Sequence, residues 1–202
     1  MTDWKDIRQK AAIYEDDQIR IRLAEDRDCD AYFRIMGLVT ADTDSVWRVL
    51  KRKENCILYA VADYRTDEMI GSCHARLLPG NNCEFGYEID KQFQGRGFGT
   101  KAMGALISTF RDTPYELIAR TRTDNFVSRH IITKLGGVFA GEEPSAYEIM
   151  RDRDPEFAER HNDALSANRT ALYVFDPGNL YEAIDALEDA VEILNDSSDD
   201  WE

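Results

Sequence analysis

The sequence predicts an α/β domain: a mixed, mostly antiparallel central sheet with helices on both faces, followed by an extra acidic helix. Three observations carry this. The runs Cys56 to Asp63, Met69 to Leu77 and Cys83 to Ile89 read as strands joined by the polar turns Arg65-Thr66-Asp67-Glu68 and Pro79-Gly80-Asn81-Asn82. After Gly99 the apolar period changes from strand to helix. The elements that follow alternate strand, helix, strand, which calls for β-α-β connections beside the hairpins.

Taken in order, Trp4 to Tyr14 fits a short leading helix. Gln18 to Leu23 sets Ile19, Ile21 and Leu23 against Arg20 and Arg22, the alternation of a strand. Glu25 to Val39 is predicted helical, with Ala31, Phe33, Ile35, Met36 and Leu38 on its apolar faces. Asp42 or Thr43 would cap a second helix carrying Val46, Trp47 and Leu50. After the three strands, Ala102, Met103, Leu106, Ile107 and Phe110 define one face of a helix that ends before Pro114. Glu116 to Thr121 is a strand, and Asn125 to Leu135 a helix stopped by Gly136-Gly137. Asp154 to Leu165 begins with a proline suited to a first helical turn, and Thr170 to Phe175 is a last strand. Leu180 to Leu194 shows a narrow seam of Leu180, Ile184, Leu187, Val191 and Leu194 with acids opposite. Such a seam docks on the body of the protein or on a partner chain, and a homodimer is one expectation. The predicted organisation is a helical extension over 1–17, a domain over 18–176 with an insertion near 151–168, and an acidic helix and tail over 177–202.

Composition limits the function. The 202 residues are 43% hydrophobic and carry a formal net charge of −14. That charge argues against a nucleic-acid-binding surface and favours cationic ligands. Solubility explains it equally well. No apolar run is long enough to span a membrane, and Met1 to Lys10 lacks the apolar core of a secretory signal, so a cytoplasmic protein is expected. Cys29, Cys56, Cys73 and Cys83 have no C-x-x-C spacing, and no metal site is expected.

The segment Gln94-Gly95-Arg96-Gly97-Phe98-Gly99-Thr100 joins the third hairpin strand to a helix. Its three glycines let backbone approach a ligand, and the free N–H groups of a helix start favour a phosphate. Arg96 adds a charge. The spacing is G-x-G-x-G, which fits neither a P-loop nor a dinucleotide fingerprint.

Here the sequence resembles the GCN5-related N-acetyltransferase (GNAT) family. Gly86-Tyr87-Glu88-Ile89-Asp90 leading to Gln94, Gly97 and Gly99 is similar to that family's motif Q/R-x-x-G-x-G/A after a central strand. Asn125 and Ser128, followed by Lys134-Leu135-Gly136-Gly137, resemble its later N-x-x-S…K-L-G-F segment, with Gly137 replacing an aromatic. The ribosomal-protein N-terminal acetyltransferase branch is the nearest in style. The resemblance covers roughly 18–140 and the strand at 170–175.

It implies a GNAT fold with a V-shaped splay between strands 83–89 and 116–121, holding acetyl-CoA as co-substrate, and direct acetyl transfer to a primary amine. A small cationic amine or a protein N-terminus would be the acceptor. Main chain near Ile89 would pair with the pantetheine arm, and Gln94, Gly95, Arg96, Gly97, Phe98, Gly99 and Thr100 would hold the pyrophosphate. Asn125 and Ser128 would lie along the pantetheine. Glu84 and Glu88, on one strand face by parity, are the candidate bases. The tyrosine that many relatives use as an acid falls on Ile132 here, leaving Ser128, Tyr87 or Tyr147 as substitutes. Trp47, Tyr32 and Phe33 are candidates for the acceptor side, with core packing as the alternative. A non-catalytic acyl-CoA-binding or scaffolding protein is the rival reading.

Overall fold

Turn chemistry sets the sheet in register. In the computed structural model, which describes residues 3–38, 40, 42–160 and 169–175, β3 (Cys56–Asp63) turns into β4 (Met69–Leu78) through an Asx turn. The Asp63 carboxylate accepts from the amides of Arg65 and Thr66 at 2.9 and 3.0 Å. The next hairpin, into β5 (Asn82–Ile89), bends at Gly80 and Asn81, both at positive φ. β2 (Ile19–Leu23) pairs antiparallel with β3, and β1 (Ala12–Glu15) pairs antiparallel with β2.

The second half of the chain follows as α4 (Phe98–Phe110), β6 (Glu116–Arg122), α5 (Phe126–Lys134), β7 (Gly137–Glu143), α6 (Ala146–Arg153), α7 (Pro155–Arg160) and β8 (Thr170–Phe175). Before the hairpins come α1 (Trp4–Arg8), a 3-10 turn at Asp26–Asp28, α2 (Cys29–Met36) and α3 (Thr43–Arg52). Among the described residues the sheet has eight strands in the order β1-β2-β3-β4-β5-β6-β8-β7. Every pairing is antiparallel except β5 with β6.

Two apolar clusters lie on opposite faces. One joins Tyr59, Val61, Cys73, Ala75 and Phe85 of the strands to Met103, Leu106 and Phe110 of α4. The other sets Tyr32, Phe33 and Trp47 of α2 and α3 against Ala60. Those three aromatics are therefore core residues, as the alternative reading had it. The thiols are free; Cys29, Cys73 and Cys83 are buried and Cys56 is half-buried.

The parallel pairing of β5 and β6 runs only from Asn82↔Glu116 to Phe85↔Ala119. β5 continues to Ile89 and β6 to Arg122 without partners on each other. That divergence is the expected V-shaped splay, and it leaves main-chain groups of the second half of β5 open on that side.

Four elements differ from the sequence reading. The leading helix stops at Arg8, and Ala12–Glu15 joins the sheet as β1. The helix expected over Glu25 to Val39 is a 3-10 turn plus the shorter α2, closed by Gly37 at φ 62°. Gly136, at φ 85°, does stop α5, but Gly137 opens β7. A Cβ on Gly137 would stand 2.5 Å from Ile132 Cγ2, so glycine is needed there for strand and helix to pack closely. α6 starts at a capping box of Ser145 and Glu148 that the sequence reading missed. The amphipathic segment at 180–194 lies outside the described residues.

Candidate active site

A cleft of about 400 Å³ occupies the mouth of the splay. Its lining comes from the end of β5 (Tyr87, Glu88, Ile89), the following turn (Phe93, Gln94, Gly95, Gly97), the start of α4 (Phe98, Gly99, Thr100) and the start of α5 (Asn125, Val127, Ser128, Ile131). Eleven of these fourteen are residues that the sequence reading named for this site; Phe93, Val127 and Ile131 are apolar wall residues that it did not name.

The turn is built for close approach. Asp90 accepts from the Gln92 amide at 3.1 Å and pairs with Arg34 of α2. The Gln94 side-chain amide donates to the Ile89 carbonyl at 2.9 Å, tying the turn back to the strand it left. Gly95 and Gly97 both have φ of 78°, and a Cβ on either would meet nothing within 4 Å. Their exposed side is open space. Gly97 is the N-cap of α4 and provides no side-chain cap, so the first amides of α4 are left without an internal acceptor. Gly99 is different: a Cβ there would lie 2.7 Å from Tyr87 Cε2, so its bareness lets the Tyr87 ring lie against α4. Arg96 is outside the lining. Its guanidinium sits 5.3 Å from the centre of the Phe93 ring and donates to the Gln92 carbonyl at 3.4 Å.

Asn125 caps α5, its side-chain oxygen accepting from the Ser128 amide at 3.1 Å. Ser128 and Tyr87 both line the cleft. Burial raises the Tyr87 phenol above its ordinary value, with Ser128 opposing, so it is protonated at neutral pH. Ile132, in the place of the absent tyrosine, is a core residue with 1% exposure. Tyr147 falls on α6, its side chain outside the described residues.

The two glutamates separate. Glu88 lines the cleft, keeps contact with solvent, and has its carboxyl raised by desolvation. Glu84, expected beside the same cleft, is absent from its lining. It is buried, bonded by Arg76 and faced by Arg120 Nη1 at 3.7 Å. Arg120 in turn makes a two-pronged contact with Glu143 at 2.7 and 3.0 Å. Parity placed both acids on one face correctly, but β6 begins to diverge after Phe85, so only the later one reaches open space. This corrects the expectation that both flank the cleft. Among the described residues no group of three or more His, Cys, Asp or Glu is set to hold a metal ion.

The acetyltransferase (GNAT) domain family matches residues 5–138. The chain belongs to the GNAT family. The match takes in α1 and β1 as well as the motif segments. Three solved structures illustrate the shared fold. The ribosomal L7/L12 α-N-protein acetyltransferase RimL is 16% identical, with a TM-score of 0.61 covering 81% of this chain and 92% of its own. A GNAT-family protein of Chromobacterium violaceum is 16% identical with a TM-score of 0.64, covering 84% and 87%. YncA of Salmonella typhimurium, whose structure holds its cofactor acetyl-CoA, is 16% identical with a TM-score of 0.59, covering 79% and 94%. No curated protein matches this sequence. As a GNAT protein the chain is an acyltransferase of a family that uses acetyl-CoA. No helix among the described residues is long and apolar enough to cross a membrane.

Proposed function

We propose that this GNAT enzyme transfers an acetyl group directly from acetyl-CoA to a primary amine, with Glu88 as the base. The observation that carries the reading is the cleft itself: an open glycine turn and unpaired helix amides at one end, and on the same lining a solvent-reachable carboxylate raised by partial desolvation. Gly95, Gly97 and the first amides of α4 would hold the pyrophosphate, with Gln94 and Thr100 beside them. β5 beyond Phe85, freed of its β6 partner, would pair with the pantetheine amides around Ile89, and Asn125 and Val127 would wall the far side.

The acceptor arrives as an ammonium, which is no nucleophile until it loses a proton. Glu88, or a water it holds, removes that proton. An N–H of β5 would polarise the thioester carbonyl as nitrogen attacks. Tyr87, neutral and on the same lining as Ser128, would protonate the departing thiolate. Glu84, already held by two guanidinium groups, is assigned to that ion-pair cluster and not to proton transfer. Glu88 has no ion-pair partner among the described residues, which suits a cationic acceptor. RimL, named for acetylating a protein N-terminus, makes such an N-terminus one acceptor to try beside polyamines and aminoglycosides.

The test is thiol release from acetyl-CoA in the presence of an amine and peptide panel. Release with at least one amine supports the reading. Tight acetyl-CoA binding without release from any acceptor points instead to a non-catalytic acyl-CoA-binding protein. Gly97→Glu places bulk and charge in the open turn at a positive φ. It should weaken acetyl-CoA binding roughly 100-fold by calorimetry. Unchanged affinity would mean that the cofactor lies elsewhere.

A further inference from the structure

A strand that ends in a glycine-rich turn gains freedom where a ligand needs a fixed cradle. Residues 91–97 pass from β5 to α4 with Gly95 and Gly97 at positive φ. Much of what holds them is local. The Asp90 carboxylate accepts from the Gln92 amide at 3.1 Å, and the Phe93 amide donates to the Asp90 carbonyl at 2.8 Å. The Gln94 side chain donates to the Ile89 carbonyl at 2.9 Å, five residues back. Local bonds of this kind fix the shape of the turn, but not where it stands against the body of the protein.

Asp90 makes that second connection. Its amide donates to the Ile70 carbonyl of β4 at 2.9 Å. Its carboxylate also takes Nη1 of Arg34, which comes from α2 and lies 56 residues earlier in the chain. α2 is a firm support. Tyr32 and Phe33 pack it into the apolar cluster with Ala60 and Met69. Arg22 holds Asp28 at its start, and at its end Met36 Sδ stands 4.0 Å from Ser72 Oγ of β4. Arg34 sits in the last turn of that helix, where a cation suits the carbonyl end of the dipole.

The two partners differ in exposure. The Arg34 side chain is 58% exposed and the Asp90 side chain 8%. A pair of fully exposed charges contributes little. A carboxylate this far out of water depends on its cation. The Gln92 amide and Arg34, against burial, hold the Asp90 carboxyl below the usual range, so it is ionised at neutral pH. Without Arg34 the carboxylate would either turn to water and release the Gln92 amide, or stay as an uncompensated anion at the foot of the turn. Both outcomes are unfavourable for a backbone nest that is to hold a pyrophosphate.

We propose that Arg34 is a positioning residue for acetyl-CoA: acting through Asp90, it fixes the glycine turn against α2 and cancels the carboxylate charge at the foot of that turn. This rests on the reading that places the pyrophosphate at Gly95 to Thr100. The role is indirect, because Arg34 lies outside the lining of the cleft. It concerns the donor alone, so the chemical step with donor bound should not depend on it.

Calorimetric titration with acetyl-CoA needs no acceptor and reads the effect directly. Arg34→Ala should weaken binding about tenfold. Arg34→Lys, which keeps a charge and a donor, should recover most of that loss. Asp90→Ala should weaken binding at least as much as Arg34→Ala, since Gln92 loses its acceptor too. In the Asp90→Ala background the pair is already gone, so adding Arg34→Ala should cost less than about twofold. In turnover, Arg34→Ala should raise KM for acetyl-CoA by a similar factor and hold kcat at saturating donor. Unchanged acetyl-CoA affinity in Arg34→Ala would overturn the proposal, whatever happens to the melting temperature. So would a full tenfold loss in the Asp90→Ala background, which would mean that Arg34 does not act through Asp90, or a fall in kcat with KM unmoved. Gly97→Glu separates this inference from the reading beneath it. If Gly97→Glu weakens binding and Arg34→Ala does not, only the role of Arg34 falls; if Gly97→Glu leaves affinity unchanged, the cofactor lies elsewhere and both fall.

Discussion

As the proposed base, Glu88 would tie activity and stability to pH in opposite senses. Desolvation raises its carboxyl above the ordinary value of 4.5. The base must be ionised, so kcat/KM should fall as pH drops through that raised value, and the acid limb should lie above the usual carboxylate range. Stability runs the other way. A raised folded-state pKa contributes stability that is full below the unfolded value and is lost as pH rises through the folded one. At pH 7 the ionised group is therefore a small burden on the fold. Glu88→Gln should remove the acid limb and lower kcat by about 100-fold or more. Acetyl-CoA affinity should be unaltered and the thermal midpoint no lower than that of the parent. A pH–rate series beside melting curves checks both; an unshifted acid limb in the variant would assign the base to another group.

At the scale of elements, one arginine fixes where α2 stands. Arg22 of β2 makes a two-pronged contact with Asp28 at 2.8 and 3.0 Å and reaches Asp67 in the β3–β4 turn at 2.8 Å. Arg22 and Asp28 are 4% and 3% exposed. Arg22→Ala would strand a buried carboxylate at the start of α2, at a cost of about 3–5 kcal/mol. Denaturant unfolding should show a lower midpoint with an unchanged slope. This clamp also marks where sequence reading reaches its limit. Alternation over Gln18 to Leu23 set Arg20 and Arg22 on one face, which is correct. Arg20 is exposed and Arg22 is sealed because α2 and the turn cover only one end of that face, and periodicity carries no information on what lies above a strand. Glu84 and Glu88 show the same limit, sharing a face but not an environment. The hairpin strands, α4, α5 and β8 were legible because their patterns are long and their turns chemically plain. β1 was not, since four residues give no alternation to read, and β7 was hidden because Gly136-Gly137 reads as one stop signal. The glycine turn was legible as cleft lining, except that Arg96 lies off the cleft with its guanidinium over the Phe93 ring.

The molecule as a whole sets the two substrates against each other. A net charge of −14 surrounds a cleft that must admit a polyanion, acetyl-CoA, and by the reading above a cationic amine. The long-range field would concentrate a cationic amine near the surface and repel the donor, whose binding, on the proposed placement, relies on short-range amides at Gly97 to Thr100. Salt screens the long-range part and leaves direct hydrogen bonds largely intact, because the screening length falls from about 30 Å at 0.01 M to about 10 Å at 0.1 M, still well beyond hydrogen-bond distance. Raising salt from about 0.01 M to about 0.1 M should therefore move the two substrates in opposite directions. kcat/KM for a polyamine should fall several-fold while KM for acetyl-CoA falls or holds. A zwitterionic peptide acceptor, with no net charge to steer, should respond weakly. Because protein charge is common to all three measurements, only ligand charge can give the divergence. Parallel responses of polyamine and peptide would mean that the −14 serves solubility and plays no part in selecting the acceptor.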